Sequence, residues 1–154
     1  MKKYKPREIK PDPKFKNTQV AKFINYVMRN GKKSLAQRIV YSAFEIVKEK
    51  TKRDPLEVFF EAVKNASPLM ETRPKRVGGA TYQVPYPVSE KRQKTLAMKW
   101  IIESAKAKKG KPMEEKLAEE IVLASKGSGG AVKKRIDTEK MAEANKAFAH
   151  LANL

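Results

Sequence analysis

Hydrophobic residues recur at helical spacing in six segments of the chain. In the first, Val20, Phe23, Ile24, Val27 and Met28 form a stripe along one side of a helix. Asn17 or Thr18 can cap its start, and Gly31 suits the position just past its end. The pattern predicts a helix over about residues 18–30.

Four more helices follow from the same reasoning, over about residues 33–50, 54–67, 89–106 and 112–126. The second has an apolar face of five residues: Leu35, Ile39, Ala43, Ile46 and Val47. The third begins at Asp54-Pro55, with Glu57 completing a capping box, and the fourth carries Leu96, Trp100, Ile101 and Ala105 on one face. Residues 127–130, GSGG, predict a flexible joint before the last helical segment, in which Asp137-Thr138 offers a second cap and a point to break.

Residues 72–88, TRPKRVGGATYQVPYPV, have a different pattern. Three prolines exclude a helix, β-branched and aromatic residues favour strands, and Gly78-Gly79 supplies a tight turn. We predict a β-hairpin between helices three and four. Two strands alone are marginally stable in water, so we expect the hairpin to need support from a partner.

Residues 1–16 contain three prolines and seven basic residues against two acidic ones. The prolines exclude a helix, so we predict an extended basic arm over 1–16 that orders on a partner. The remainder, 17–154, is predicted to be a single mainly α domain, a six-helix bundle with a protruding hairpin.

Composition narrows the chemistry of the chain. Its 154 residues include 35 Lys and Arg against 17 Asp and Glu, a formal net charge of +18. There is no cysteine, and His150 is the single histidine, so zinc sites, thiolate catalysis and histidine triads have no residues to use. No run is long and apolar enough to span a membrane, and no apolar stretch follows Met1 as in a signal peptide.

The basic residues concentrate in the arm, the hairpin and the interhelical loops, whereas acidic residues gather on helices two and three. This polarity predicts one polyanion-binding side rather than an evenly solvated basic surface. Tyr82 and Tyr86 are candidates to stack on unpaired bases, or to pack on helix four, and Trp100 is expected in the core. Residues 30–34, NGKKS, lack the first glycine of a phosphate-binding loop, so we expect no enzyme, cofactor or metal site.

Several motifs resemble the bacterial form of a family, the seventh protein of the small ribosomal subunit. They are PDPKF at 11–15, GKKS at 31–34, RVGGATYQVP at 76–85, LAMKWI at 96–101 and AVKKRIDTEKMAEANKAFAH at 131–150. The resemblance implies six helices with a β-ribbon between the third and fourth. It also implies a structural, RNA-binding protein of the cytoplasmic ribosome.

In that family the protein binds the 3′ major domain of small-subunit ribosomal RNA and nucleates its assembly into the subunit head. The resemblance further implies neighbours: the ninth and eleventh small-subunit proteins, with exit-site tRNA and mRNA close to the hairpin. No membrane and no homo-oligomer within the ribosome are expected. Some bacterial members also repress translation of their own mRNA, and whether this chain does so stays open.

The residues expected at the ribosomal RNA come from the resemblance and from the charge clusters. They are Lys2, Lys3, Lys5, Arg7, Lys10, Lys14, Lys16, Lys32, Lys33, Arg73, Lys75, Arg76, Gly78, Gly79, Arg92, Lys109, Lys111, Lys133, Lys134 and Arg135. Tyr82 and Val84 are expected near the tRNA and mRNA. Two alternatives from other classes are a DNA-compacting protein, which would bind duplex DNA equally well, and an RNA-modifying enzyme, for which no acid–base pair or cofactor loop is visible.

Overall fold

The computed structural model of the chain describes residues 3–154, and it is mainly helical with one antiparallel hairpin. Lys2, predicted to contact RNA, lies outside the described residues. The elements in chain order are α1 (Thr18–Val27), α2 (Lys33–Thr51), α3 (Pro55–Ala66), β1 (Met70–Val77), β2 (Ala80–Pro87), α4 (Glu90–Ala107), α5 (Met113–Ser125), α6 (Gly130–Ala144) and a C-terminal 3₁₀ helix (Lys146–Asn153). The described residues therefore contain seven helices where six were predicted, because the last predicted segment forms two.

The core is built around α5, which packs against α2, α3 and α4. The rings of Phe23, Phe44 and Phe59, from α1, α2 and α3, meet at centroid distances of 4.9 and 5.4 Å. All three side chains are fully buried. These contacts close a hydrophobic core within the helices, as the apolar stripes predicted.

The predicted apolar faces of α2 and α4 were partly wrong in phase. In α2 the buried residues are Ala36, Val40, Ala43, Phe44 and Val47, whereas Leu35 is 41% exposed. In α4, Met98 and Ile102 are buried, and Leu96 and Trp100 are only half-buried. The apolar arc of each helix is wider than the face that touches α5, and small alanines allow the closest approach. Periodicity alone therefore could not select the buried side.

The joint before α6 is closely packed at Gly129 and Gly130, which corrects the prediction of flexibility for that part of residues 127–130. A Cβ atom on Gly129 would lie 2.9 Å from Glu120 Oε1, and one on Gly130 would lie 2.8 Å from Ser104 Oγ. The buried carboxylate of Glu120 accepts a hydrogen bond from the N–H of Ala131 at 3.0 Å. From there α6 runs through Asp137-Thr138 without a break and ends at Ala144.

The predicted arm is shorter than 1–16, because its last residues fold onto α2. Asp12 is buried and its Oδ2 accepts hydrogen bonds from the backbone N–H groups of Lys14 (3.0 Å) and Phe15 (2.9 Å). The hydroxyl of Tyr41 donates to Asp12 Oδ1 at 2.6 Å, and the Phe15 ring meets Phe44 edge-on at 5.1 Å. Burial, and then the hydrogen bond to Asp12, raise the pKa of Tyr41 to about 12. We call residues 12–16 the arm root; residues 3–11 before it lack helix and strand.

The hairpin has the predicted turn, and its support comes from within the chain. Its register runs from Met70 opposite Pro87 to Val77 opposite Ala80, and Gly78 and Gly79 both have positive φ, as a two-residue hairpin turn requires. The strands pack against α6 and the 3₁₀ helix. The Tyr82 ring lies 5.2 Å from that of Phe148, and Lys75 Nζ donates to the carbonyls of Ala152 and Leu154. The expected partner support is thus supplied by the C-terminal segment.

Candidate nucleic-acid interface

Most of the predicted RNA-contacting cations are exposed. In the arm, Lys3, Lys5, Arg7, Lys10, Lys14 and Lys16 are all exposed, as are Lys32, Arg76, Lys109 and Lys133 elsewhere. No residue in the range 3–154 forms an ion pair with Lys32, Arg76, Lys109 or Lys133. They are therefore available to a polyanion without breaking an internal contact.

Other predicted cations have partners inside the chain. Lys33 Nζ donates to Asn25 Oδ1 at 2.8 Å, Lys134 pairs with Glu103 at 2.7 Å, and Lys111 pairs with Glu119 at 3.3 Å. These pairs are at the surface, where such contacts contribute about 0–1 kcal/mol. A phosphate can therefore replace the amide of Asn25 or the carboxylate of Glu103 or Glu119 at little cost. Arg135 is half-buried, and its Nε has no hydrogen-bond acceptor in the part of the chain that the structure describes.

The base of the hairpin brings together arginines from two elements. Arg73 from β1 donates to Glu71 Oε1 from Nη2 (2.8 Å) and Nε (3.1 Å), and Arg92 from the first turn of α4 lies 3.4 Å from Glu71 Oε2. Burial acts to raise the pKa of Glu71, but hydrogen bonds from the two arginines outweigh it and hold the pKa below the ordinary value. Arg73 Cζ also lies 5.4 Å from the centre of the Tyr86 ring.

The tip of the hairpin is open. A Cβ atom on Gly78 or Gly79 would meet no other atom within 4 Å, and both residues are exposed. Their backbone can therefore be approached closely by another chain. Arg76 lies two residues before this turn and is also exposed.

None of the side chains of Tyr82, Val84, Tyr86 and Trp100 is exposed, whereas stacking on bases requires an exposed ring. Val84 is fully buried, so its side chain cannot contact tRNA or mRNA in this conformation. Tyr82 is half-buried against Phe148, and Tyr86 is half-buried near Arg73. Trp100 is half-buried: it packs against the core cluster and also lines a depression with Glu71, Asp137 and Met141. The prediction that Trp100 is a core residue was thus only partly right.

Sequence reasoning missed a groove between the α1–α2 junction and the α4–α5 junction. Its volume is about 520 Å³; apolar side chains of Val27, Met28, Leu35, Ile39 and Met113 line it, and basic residues at its rim are Arg29, Lys32, Lys106 and Lys116. Arg29 and Lys116 carried no signal in the sequence, because only the fold brings the two loops together. Leu35, which was predicted on the apolar face of helix two, is a wall residue of this groove and is exposed.

The acidic residues of α2 and α3 lie in a separate region. Glu45, Glu49 and Asp54 line a shallow depression with Lys48 and Arg53. Arg53 forms a two-pronged contact with Glu61, at 3.1 and 2.6 Å. This region is mixed in charge and is therefore a poor surface for a polyanion.

The described residues contain neither a metal-binding cluster nor a membrane-spanning helix. No group of three or more potential ligands among residues 3–154 could hold a metal ion. None of the helices in that range is both long enough and apolar enough to cross a bilayer.

Comparison with known proteins gives a consistent result. The family described as ribosomal protein S7p/S5e matches residues 1–146. The small ribosomal subunit protein uS7 of Thermotoga maritima is 62% identical over 144 residues, covering 94% of this chain and 93% of the relative. The proteins of the same name from Caldanaerobacter subterraneus and Thermosipho africanus are 59% and 56% identical, again over 94% of this chain.

Proposed function

Because this chain belongs to the S7p/S5e family of ribosomal proteins, we propose that it binds the 3′ major domain of small-subunit ribosomal RNA and nucleates its folding into the subunit head. Membership itself makes the chain a structural, non-enzymatic component of the small subunit of the cytoplasmic ribosome. Ribosomal RNA binding is general to this family. The specific RNA domain and the role in assembly are the proposal.

The groove at the two helix junctions is the observation that carries the proposal. The groove has a volume of about 520 Å³ and apolar walls, and cations from the α1–α2 loop and from α4 and α5 surround it. A folded RNA can match both parts of the groove. Its phosphates can bind the cations at the rim, and the face of an unstacked base can pack against the apolar walls. Duplex DNA offers phosphates but keeps its bases stacked, so this groove favours structured RNA.

The architecture suggests how binding drives assembly. The helical core is closed without RNA, so α1–α5 present a preformed surface. Residues 3–11 are exposed, with neither helix nor strand, and we propose that they order against RNA once the bundle has docked. A rigid body with an extended arm can hold two RNA segments in a fixed relation, which is what nucleating a domain requires.

We propose that the hairpin tip is the part that approaches exit-site tRNA and mRNA. The observation that supports this proposal is that Gly78, Gly79 and Thr81 are exposed. By contrast, Val84 is buried and Tyr82 packs on Phe148. The proposal therefore moves from Tyr82 and Val84 to the turn. The ninth and eleventh small-subunit proteins as neighbours, and repression of the chain's own mRNA, rest on the family resemblance.

Chemical footprinting of small-subunit RNA with and without the purified protein tests the proposal. We expect protection confined to the 3′ major domain, with an affinity for its transcript well above that for duplex DNA of equal length in competition. Equal affinity for the two would support a DNA-compacting protein instead.

A further inference from the structure

One buried carboxylate lies beneath two solvent-facing guanidinium groups at the base of the hairpin. The side chain of Glu71 is 9% exposed, whereas those of Arg73 and Arg92 are 55% and 47% exposed. Arg73 comes from β1 and Arg92 from the first turn of α4, so the carboxylate links the hairpin to the bundle.

Both arginines keep donors for a further anion. A guanidinium has five N–H groups in one plane. Glu71 engages Nε and Nη2 of Arg73 and Nη2 of Arg92. The remaining nitrogens of the two side chains have no acceptor among residues 3–154.

The geometry of Arg73 is fixed at two points. It contacts Glu71 on one side and lies 5.4 Å from the ring of Tyr86, which is directly opposite Glu71 in the strand register. Long side chains lose conformational freedom on binding, so one already held in place loses less. Two guanidiniums and one carboxylate leave a net charge of +1, which matches one phosphodiester.

We propose that Glu71 is a positioning residue for RNA binding: it holds Arg73 and Arg92 as a single clamp for a backbone phosphate. This inference rests on the proposed function and adds a role for an acidic residue within a basic surface. Glu71 does not touch the RNA itself.

Whether Glu71→Gln raises or lowers the affinity for RNA tests the positioning role of Glu71. Removing a negative charge beside a phosphate should, on charge alone, tighten RNA binding. Positioning gives the opposite expectation, because a carboxamide accepts through one oxygen and its NH₂ group repels the guanidiniums. We expect Glu71→Gln to weaken binding to the 3′ major-domain transcript about three- to tenfold in a filter-binding assay at fixed salt.

Two further variants separate positioning from charge. Glu71→Asp keeps the charge but withdraws the carboxylate by one methylene, and we expect it to weaken binding as well. Glu90→Gln removes an exposed carboxylate (84% exposed side chain) from the same turn of α4 as Arg92, and we expect binding unchanged or slightly tighter. Thermal unfolding followed by circular dichroism sets an assay temperature at which every variant is folded.

A double-mutant cycle decides whether the effect passes through the arginines. In an Arg73→Ala/Arg92→Ala background, we expect Glu71→Gln to have no further effect on RNA affinity. Equal weakening in both backgrounds would make Glu71 merely structural, and tighter binding by Glu71→Gln in the otherwise unaltered chain would overturn positioning outright. If the unaltered protein does not bind the transcript, the proposed function itself fails.

Discussion

At the residue scale, the contact between Tyr41 and Asp12 holds the arm root on the bundle. The hydroxyl donates at 2.6 Å to a carboxylate that is 2% exposed, and the other oxygen of that carboxylate caps two backbone N–H groups. Removing a donor from a buried carboxylate is costly, since water does not replace the missing hydrogen bond.

Tyr41→Phe should therefore lower the free energy of unfolding by about 1–3 kcal/mol, measured by urea denaturation. Tyr26→Phe is a matched control, because the Tyr26 hydroxyl makes only a long contact of 3.5 Å with Thr95. That variant should stay within about 0.5 kcal/mol of the original. Equal destabilisation of the two variants would show that the hydrogen bond to Asp12 has no special weight.

The second residue-scale prediction concerns pH. The pKa of Glu71 is lower in the folded state than its ordinary value of 4.5, so its ionisation stabilises the folded state above that value. This contribution disappears as pH falls through the lowered pKa. Urea unfolding at a series of pH values below 4.5 should show a shallower decline of stability for Glu71→Gln than for the unaltered chain. Parallel curves would contradict the assignment.

Local residue roles could be predicted from sequence, and distant ones could not. Asn17, Asp54 and Ser89 accept hydrogen bonds from backbone N–H groups two or three residues later. Asn17 was one of two predicted caps, and Asp54 and Ser89 were the predicted starts of their helices. Asp12 and Glu120 looked like ordinary surface acids. Their partners, Tyr41 and Ala131, are distant along the chain, so no local pattern could reveal their burial.

At the element scale, the boundary between arm and bundle changes what a truncation will do. Residues 3–11 are free of helix and strand, but residues 12–16 pack on α2 through Asp12 and Phe15. A deletion of 1–16 therefore removes part of the core surface as well as the basic arm.

We expect deletion of residues 1–10 to weaken RNA binding by at least about tenfold and leave the midpoint of thermal unfolding nearly unchanged. Deletion of 1–16 should weaken binding and also lower the midpoint, because Phe44 and Tyr41 become uncovered. Circular dichroism melting and filter binding on the same samples distinguish the two effects. A lowered midpoint for the shorter deletion would mean that the arm packs along more of its length.

The sequence predicted the positions of the helices and the turn better than it predicted the tertiary contacts that each of them makes. The helices and the Gly78-Gly79 turn came from local spacing and from backbone preferences. The packed joint at Gly129-Gly130 did not, because the same glycines suit a flexible linker and a close approach to Glu120. Only the position of α5 beneath them decides between the two.

At the scale of the whole molecule, the net charge of +18 indicates a polyanion, and the fold shows where that charge can act. The groove rim and the Glu71 cluster each join basic residues that are far apart in sequence. Composition could predict the class of ligand, whereas the meeting of these residues depends on tertiary packing.

Replacing both Arg76 and Arg92 with alanine should reduce the slope of log affinity against log salt by about 2, about one for each cation removed from the phosphate contacts. The unaltered protein, if it engages about six to ten phosphates, should bind roughly 10³–10⁵ times more weakly at about 200 mM salt than at about 50 mM. Lys48→Ala, in the mixed-charge region beside Glu45, should leave the slope unchanged. An unaltered slope in the double variant would remove both arginines from the interface.

The support of the hairpin by the C-terminal 3₁₀ helix has a consequence for how the protein is made. A chain is synthesised from its N-terminus, and domains begin to fold as they emerge. The hairpin strands leave the synthesising ribosome well before Phe148, on which Tyr82 packs. Because two strands alone are marginally stable, we expect the nascent hairpin to stay loose until the 3₁₀ helix that supports it has been translated. The rigid hairpin is thus completed only after Lys146–Asn153 has been translated, well after β2 itself.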